Sequence, residues 1–212
     1  MATNISGLDT LQDIRKMMEK SSRFISLSGW SGMAAGTCAL IGAAVGRHRI
    51  MTYYEREFGQ PGQCDDCLKT DLISMAAVVF LSALFSALLF TYLRSKKDGV
   101  AIWGPTSRRL LWNTVIPMGI GAIFIARLLQ QHQYDLVPAA SLVFYGLALL
   151  NGSRYTLGEV QWLGYAEIVT GLVCLWLPGS GIYFWAFGFG VLHIVYGFSM
   201  WWKYERKEMD KS

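Results

Sequence analysis

LISMAAVVFLSALFSALLFTYLR, residues 72–94, is the stretch that decides the fold, because it carries no charged side chain before Arg94. The hydrocarbon core of a bilayer, about 30 Å thick, is crossed by an α-helix of about 20 apolar residues. The stretch has this length and composition and therefore predicts a membrane-spanning helix.

Five further apolar runs of comparable length are separated by short polar segments. Together with residues 72–94 they give six predicted spans, at 24–46, 72–94, 110–129, 135–151, 157–177 and 181–202. The composition agrees, since 53% of the residues are hydrophobic and only 16% are charged, below the share of about 25% typical of soluble domains. The sequence predicts an all-α membrane protein with six transmembrane helices in residues 24–202.

Short polar segments flank this domain. In residues 1–23, Leu8, Leu11, Ile14 and Met18 recur at helical spacing among charged residues, which predicts an amphipathic helix on the membrane surface. Such a helix either docks a protein partner or anchors the chain beside its first span. Residues 203–212 form a charged tail.

The distribution of Lys and Arg predicts the orientation. Of the 19 basic residues, 14 lie at the two termini and in the second and fourth loops, and 5 lie on the other side. Short cytoplasmic loops hold the excess of positive charge. We therefore expect both termini to be cytoplasmic and lipid to be the main partner of the chain. Nothing in this charge pattern indicates binding to nucleic acid.

Glu167 and His193 lie at similar distances before and after the turn expected at Pro178–Ser180. Equal distances from a hairpin turn mean equal depth, so the two side chains are expected to face each other. Small residues at three- and four-residue spacing around each of them predict that the two small-residue faces meet.

An ionisable residue inside a membrane is costly unless it is paired or hydrated, and it therefore suggests function. One interpretation is a proton or cation site, in which Asn113 and Tyr145 line the same cavity as Glu167 and His193. The other is a hydrogen bond that locks the hairpin, with Glu167 neutral.

A second polar cluster is predicted at the cytoplasmic ends of three spans, where Arg108, Arg109, Arg154 and Glu159 converge. These residues either bind an anionic ligand or lipid head group, or form a solvated surface held by ion pairs. Cys64 and Cys67, in the first outer loop, predict a local disulfide. Two cysteines do not make up a zinc site, and neither a metal nor a cofactor is expected.

The first span contains Ser28, Gly32 and Gly36 at spacing four, followed by Gly42 and Gly46. Small residues let a partner helix approach closely. That partner is either another helix of the chain or, in a homo-oligomer, a second copy.

Four segments resemble a family of small bacterial integral membrane proteins: RFISLSG (23–29), SRRLLWNTVIPMG (107–119), FYGLALLNGSRYTLGEVQWLG (144–164) and FWAFGFGVLHIVYG (184–197). The resemblance implies a six-helix inner-membrane architecture and no particular activity. Rhomboid proteases also have six helices, but their Gly-x-Ser-Gly motif is absent from the fourth span, FYGLALLNG (144–152), and no catalytic residue is assigned. Two functions stay open: a carrier or sensor for a proton, cation or small solute, and a membrane scaffold or regulatory protein that binds a partner through its cytoplasmic face.

Overall fold

A computed structural model describes residues 28–57, 65–98 and 103–206. The predicted amphipathic helix in residues 1–23, Cys64, the side chain of Cys67 and the tail beyond residue 206 lie outside the described residues. What the sequence predicts for them therefore stays a prediction.

The described residues form six long helical segments and no strand. Five are α-helices, named α1 (Gly29–Glu57), α2 (Asp65–Asp98), α3 (Pro105–Gln130), α4 (Leu136–Ser153) and α5 (Glu159–Leu175). The sixth, α6, is continuous but changes type along its length, from α (Gly181–Trp185) to π (Ala186–Leu192), back to α (His193–Met200) and again to π (Trp201–Glu205).

Four of these helical segments are long and apolar enough to cross a membrane: Thr70–Lys97, Pro105–Gln130, Leu136–Ser153 and Gly181–Tyr204. Neither α1 nor α5 is in this set, because α5 has only 17 residues and α1 is rich in small and polar residues. α1 packs against α2 and α6, and α5 packs against α4 and α6.

The helices run past the apolar stretches that predicted them. The first span was expected to end at residue 46, but α1 continues to Glu57, and α2 begins at Asp65 rather than near residue 72. The extensions meet, since Arg49 Nη1 lies 3.3 Å from Asp71 Oδ2. Hydropathy locates only the apolar part of a helix, whereas backbone hydrogen bonding continues into polar sequence. The sequence predicted a loop at Cys67, but this residue lies in the first helical turn of α2.

The helices contact one another in a definite order. α2 packs on α1, α1 on α6, α6 on both α4 and α5, and α3 on α4. The start of α1 meets the end of α6, because the position of a Cβ on Gly29 lies 2.5 Å from Trp201 N. At the opposite end, Gly181 of α6 contacts Pro138 of α4. The centre of the bundle is therefore the junction of α4, α5 and α6.

Glycines form the closest helix contacts. Gly29, Gly32 and Gly36 of α1 pack on α6, while Gly42 and Gly46 pack on Val79 and Met75 of α2. The small residues of the first span therefore contact helices of the same chain, one set on each of two neighbours.

Candidate functional site

Glu167 lies at the junction of α4, α5 and α6 and has no solvent-exposed surface. Neither carboxyl oxygen has a hydrogen-bond partner among the described residues. Oε1 is 3.3 Å from Nδ1 of His193 on α6. The two residues that were expected to face each other across the last hairpin are thus neighbours.

His193 is also buried, with 6% of its surface exposed. Its Nδ1 lies 3.2 Å from the carbonyl oxygen of Gly188. A carbonyl oxygen only accepts hydrogen bonds, so this contact is a hydrogen bond when Nδ1 carries the proton. That assignment leaves Nε2 free to accept a hydrogen bond in the neutral ring.

Tyr145 of α4 completes the cluster. Its hydroxyl lies 2.7 Å from Nε2 of His193, and its ring packs against those of Phe189 and His193 at centroid distances of 5.1 and 5.4 Å. The imidazole is thereby fixed between a tyrosine hydroxyl on one nitrogen and a carboxyl and a carbonyl on the other. We refer to Glu167, His193 and Tyr145 as the core cluster.

The π-helical segment Ala186–Leu192 sets the geometry of the core cluster. A π-helix pairs residues five apart, and short π segments are frequent at functional sites. Gly188 is five residues before His193, and its carbonyl reaches the imidazole. A Cβ on Gly188 would lie 2.6 Å from Glu167 Oε2 and 2.4 Å from Leu142 Cδ2, so a larger residue there would require the carboxyl group and the leucine side chain to shift.

The helix packing that was predicted to bring Glu167 and His193 together was wrong. The small residues of α5 do not face those of α6: Gly164 and Gly171 pack on α4, and Gly190 and Gly197 pack on α1. Gly188, which the sequence analysis did not single out, makes the space instead. The extra residue in each π turn rotates the following helical face, which a constant 3.6-residue period does not reproduce.

Asn113 does not join the core cluster. Its amide Nδ2 donates to the carbonyl of Arg109 within α3, and α3 packs on α4. No hydrogen bond links Asn113 to Glu167, His193 or Tyr145 in the described part of the chain.

The predicted charge cluster divides into two parts. Glu159 Oε1 accepts hydrogen bonds from Lys203 Nζ and, at 3.0 Å, from the Tyr204 hydroxyl. We call Glu159, Lys203 and Tyr204 the end cluster. Arg108, Arg109 and Arg154 are exposed, and none of them forms an ion pair with a described residue. Neither partner of Glu159 was predicted, because Lys203 and Tyr204 lie beyond residue 202, where the last span was expected to end.

The core cluster can hold a proton in two arrangements without net charge. Either Glu167 is protonated and His193 neutral, or a carboxylate faces an imidazolium. A lone buried charge would cost several kcal/mol, so addition or removal of one proton changes the energy of the bundle centre. This dependence on protonation is the chemical property that the geometry offers.

Comparisons with models of protein families, with curated proteins and with solved structures returned no match to this chain. Within the described residues, no group of three His, Cys, Asp or Glu side chains could hold a metal ion.

Proposed function

We propose that the chain is a six-span inner-membrane protein, with both termini cytoplasmic, whose core cluster binds and releases a proton during transport or sensing. The four apolar helices support the membrane assignment, and the excess of Lys and Arg on one side supports the orientation. Transport would couple the proton to a small solute or cation.

The observation that carries the proposal is Glu167, which is fully buried, accepts no hydrogen bond from a described residue at either carboxyl oxygen and lies beside His193. A carboxyl group that only locked two helices together would be expected to form hydrogen bonds, because buried polar groups in folded proteins are nearly always paired. A buried carboxyl without a hydrogen bond, 3.3 Å from an imidazole nitrogen, fits a proton site better.

The test compares the wild-type chain with Glu167→Gln in liposomes that contain a proton-sensitive dye, together with thermal unfolding over a range of pH. Glutamine keeps the shape of the side chain but cannot exchange a proton. We expect the wild type to show a proton signal or a pH-dependent unfolding temperature, and Glu167→Gln to lose that response while remaining folded.

Glu55→Gln is the matched control. It makes the same chemical change as Glu167→Gln, but at a residue that is exposed near the end of α1. It should behave as wild type. If the wild type shows no proton response, and Glu167→Gln changes the unfolding temperature equally at every pH, the pair is a structural lock.

The second candidate is a scaffold or regulatory protein that binds a partner through its cytoplasmic face. The observation in its favour is that Arg108, Arg109 and Arg154 are exposed and form no ion pair with a described residue. Reversing the charge of Arg108 and Arg109 should then abolish cross-linking to a partner in cells while leaving the proton response of the core cluster unchanged.

A further inference from the structure

A buried tyrosine hydroxyl lies close to the core cluster without belonging to it. Tyr196 of α6 is three residues after His193, and its Oη has no hydrogen-bond partner among the described residues. An unpaired buried polar group is destabilising, so its presence needs a physical reason. Removing this hydroxyl would leave the contacts of the ring in place, since Tyr196 packs against Gly32 of α1 through a ring carbon.

The end cluster has the same chemical composition as the core cluster. Each contains a carboxyl group from α5, a basic side chain from α6 and a tyrosine hydroxyl. Glu159 is eight residues before Glu167, which corresponds to about 12 Å along α5. Two acid–base clusters are therefore stacked along the α5–α6 contact, one in the core and one at the Lys/Arg-rich end.

Tyr196 lies between the two clusters. Along α6 it is three residues after His193 and seven residues before Lys203. The residues of α1 that contact this part of α6, namely Gly29, Gly32, Met33 and Gly36, carry no titratable group.

Toward the opposite end of the bundle the surroundings of Glu167 are apolar. The buried residues there are Leu142, Ala139 and Cys174. The hydroxyl of Thr170 donates a hydrogen bond to the carbonyl of Ala166 in its own helix. The hydroxyl of Ser141, on the same side, likewise donates to a carbonyl of its own helix, that of Pro138. The carboxyl and ammonium groups of the end cluster lie in the other direction.

We infer that protons reach the core cluster from the Lys/Arg-rich end, with the end cluster exchanging protons with water and Tyr196 acting as the relay. In each transfer the Tyr196 oxygen accepts one proton and releases its own, so the side chain ends unchanged. No direct hydrogen bond joins Tyr196 to either cluster, and each transfer therefore involves rotation of the phenol or a bridging water molecule. This inference rests on the proposed function and adds to it a direction of access and a named relay residue.

The test places the full chain in lipid nanodiscs, applies a rapid pH step and follows the carboxyl stretching band of Glu167 by time-resolved infrared spectroscopy. The band that disappears in Glu167→Gln is assigned to the Glu167 carboxyl group. Tyr196→Phe removes only the unpaired hydroxyl, and Glu159→Gln removes the exchanging carboxyl. We expect both variants to slow the response by about tenfold, the effect of a modest increase in the barrier, and to leave its final amplitude unchanged.

Tyr183→Phe is the control, because Tyr183 is exposed at the other end of α6, and it should respond at the wild-type rate. Wild-type rates in both Tyr196→Phe and Glu159→Gln would overturn the relay and leave the proposed function standing. A wild-type protein with no pH-dependent band from Glu167 would overturn the relay and the proposed function together.

Discussion

At the scale of single residues, Gly188 is the position where one methyl group decides the geometry of the core cluster. A Cβ there would lie within 2.6 Å of both Leu142 and Glu167 side-chain atoms. Overpacking of a dense core costs about 1–3 kcal/mol. We therefore expect Gly188→Ala to lower the free energy of unfolding in detergent by this amount and to weaken the contact between Glu167 and His193.

Gly119→Ala is the control for this substitution. No atom lies within 4 Å of a Cβ at Gly119, and alanine is favoured over glycine inside a helix by up to about 1 kcal/mol. The control should be neutral or stabilising. Equal stability of Gly188→Ala and the wild type in denaturant titrations would show that Gly188 does not limit the space around the carboxyl.

At the scale of helices, the contact between α1 and α2 depends on a match between a small and a branched residue. A Cβ on Gly42 would lie 2.4 Å from Val79 Cγ2. Gly42→Ala alone should therefore push the helices apart, and Val79→Ala alone should leave a gap. The double variant should recover part of the loss, with a coupling of about 0.5–3 kcal/mol as is found for residues in contact.

Val78 provides the matched comparison, since it is adjacent to Val79 but 66% exposed. Gly42→Ala combined with Val78→Ala should give additive changes in the free energy of unfolding. Additivity in both double variants would mean that α2 is not held on α1 through this contact.

At the scale of the whole molecule, the proposed orientation predicts which loops are accessible from outside the cell. Gln131, between α3 and α4, and Trp103, just before α3, are both exposed at opposite ends of the bundle. In a chain whose four native cysteines are replaced, Gln131→Cys should react with a membrane-impermeant maleimide in intact cells. Trp103→Cys should react only after the cells are opened, because its end carries most of the Lys and Arg.

The two positions control for each other, since one of them must label in intact cells if the bundle spans the membrane. Labelling of Trp103→Cys and protection of Gln131→Cys would reverse the orientation. It would also place the end cluster, and with it the proposed proton entry, on the outer surface.

Hydropathy and residue spacing predicted much of this architecture. Each of the six helices covers an apolar run of the sequence, but only four of them are long and apolar enough to cross a membrane. The proximity of Glu167 and His193 follows from equal distances to one turn. The ends of α1 and α2 were misplaced, because helical hydrogen bonding does not depend on the apolar character of the side chains.

The sequence by itself therefore determined which segments are helical, in which order they turn back, and which polar residues share a depth. Tertiary structure alone decided the direction of each side chain: Asn113 away from the core cluster, Glu159 toward Lys203 and Tyr204, and Gly188 against Glu167. The physical reason lies in the π segments of α6 and in the pairing of the glycine faces with α1 and α4. Both fix the rotation of each helix about its axis, and that rotation depends on contacts between residues distant in sequence.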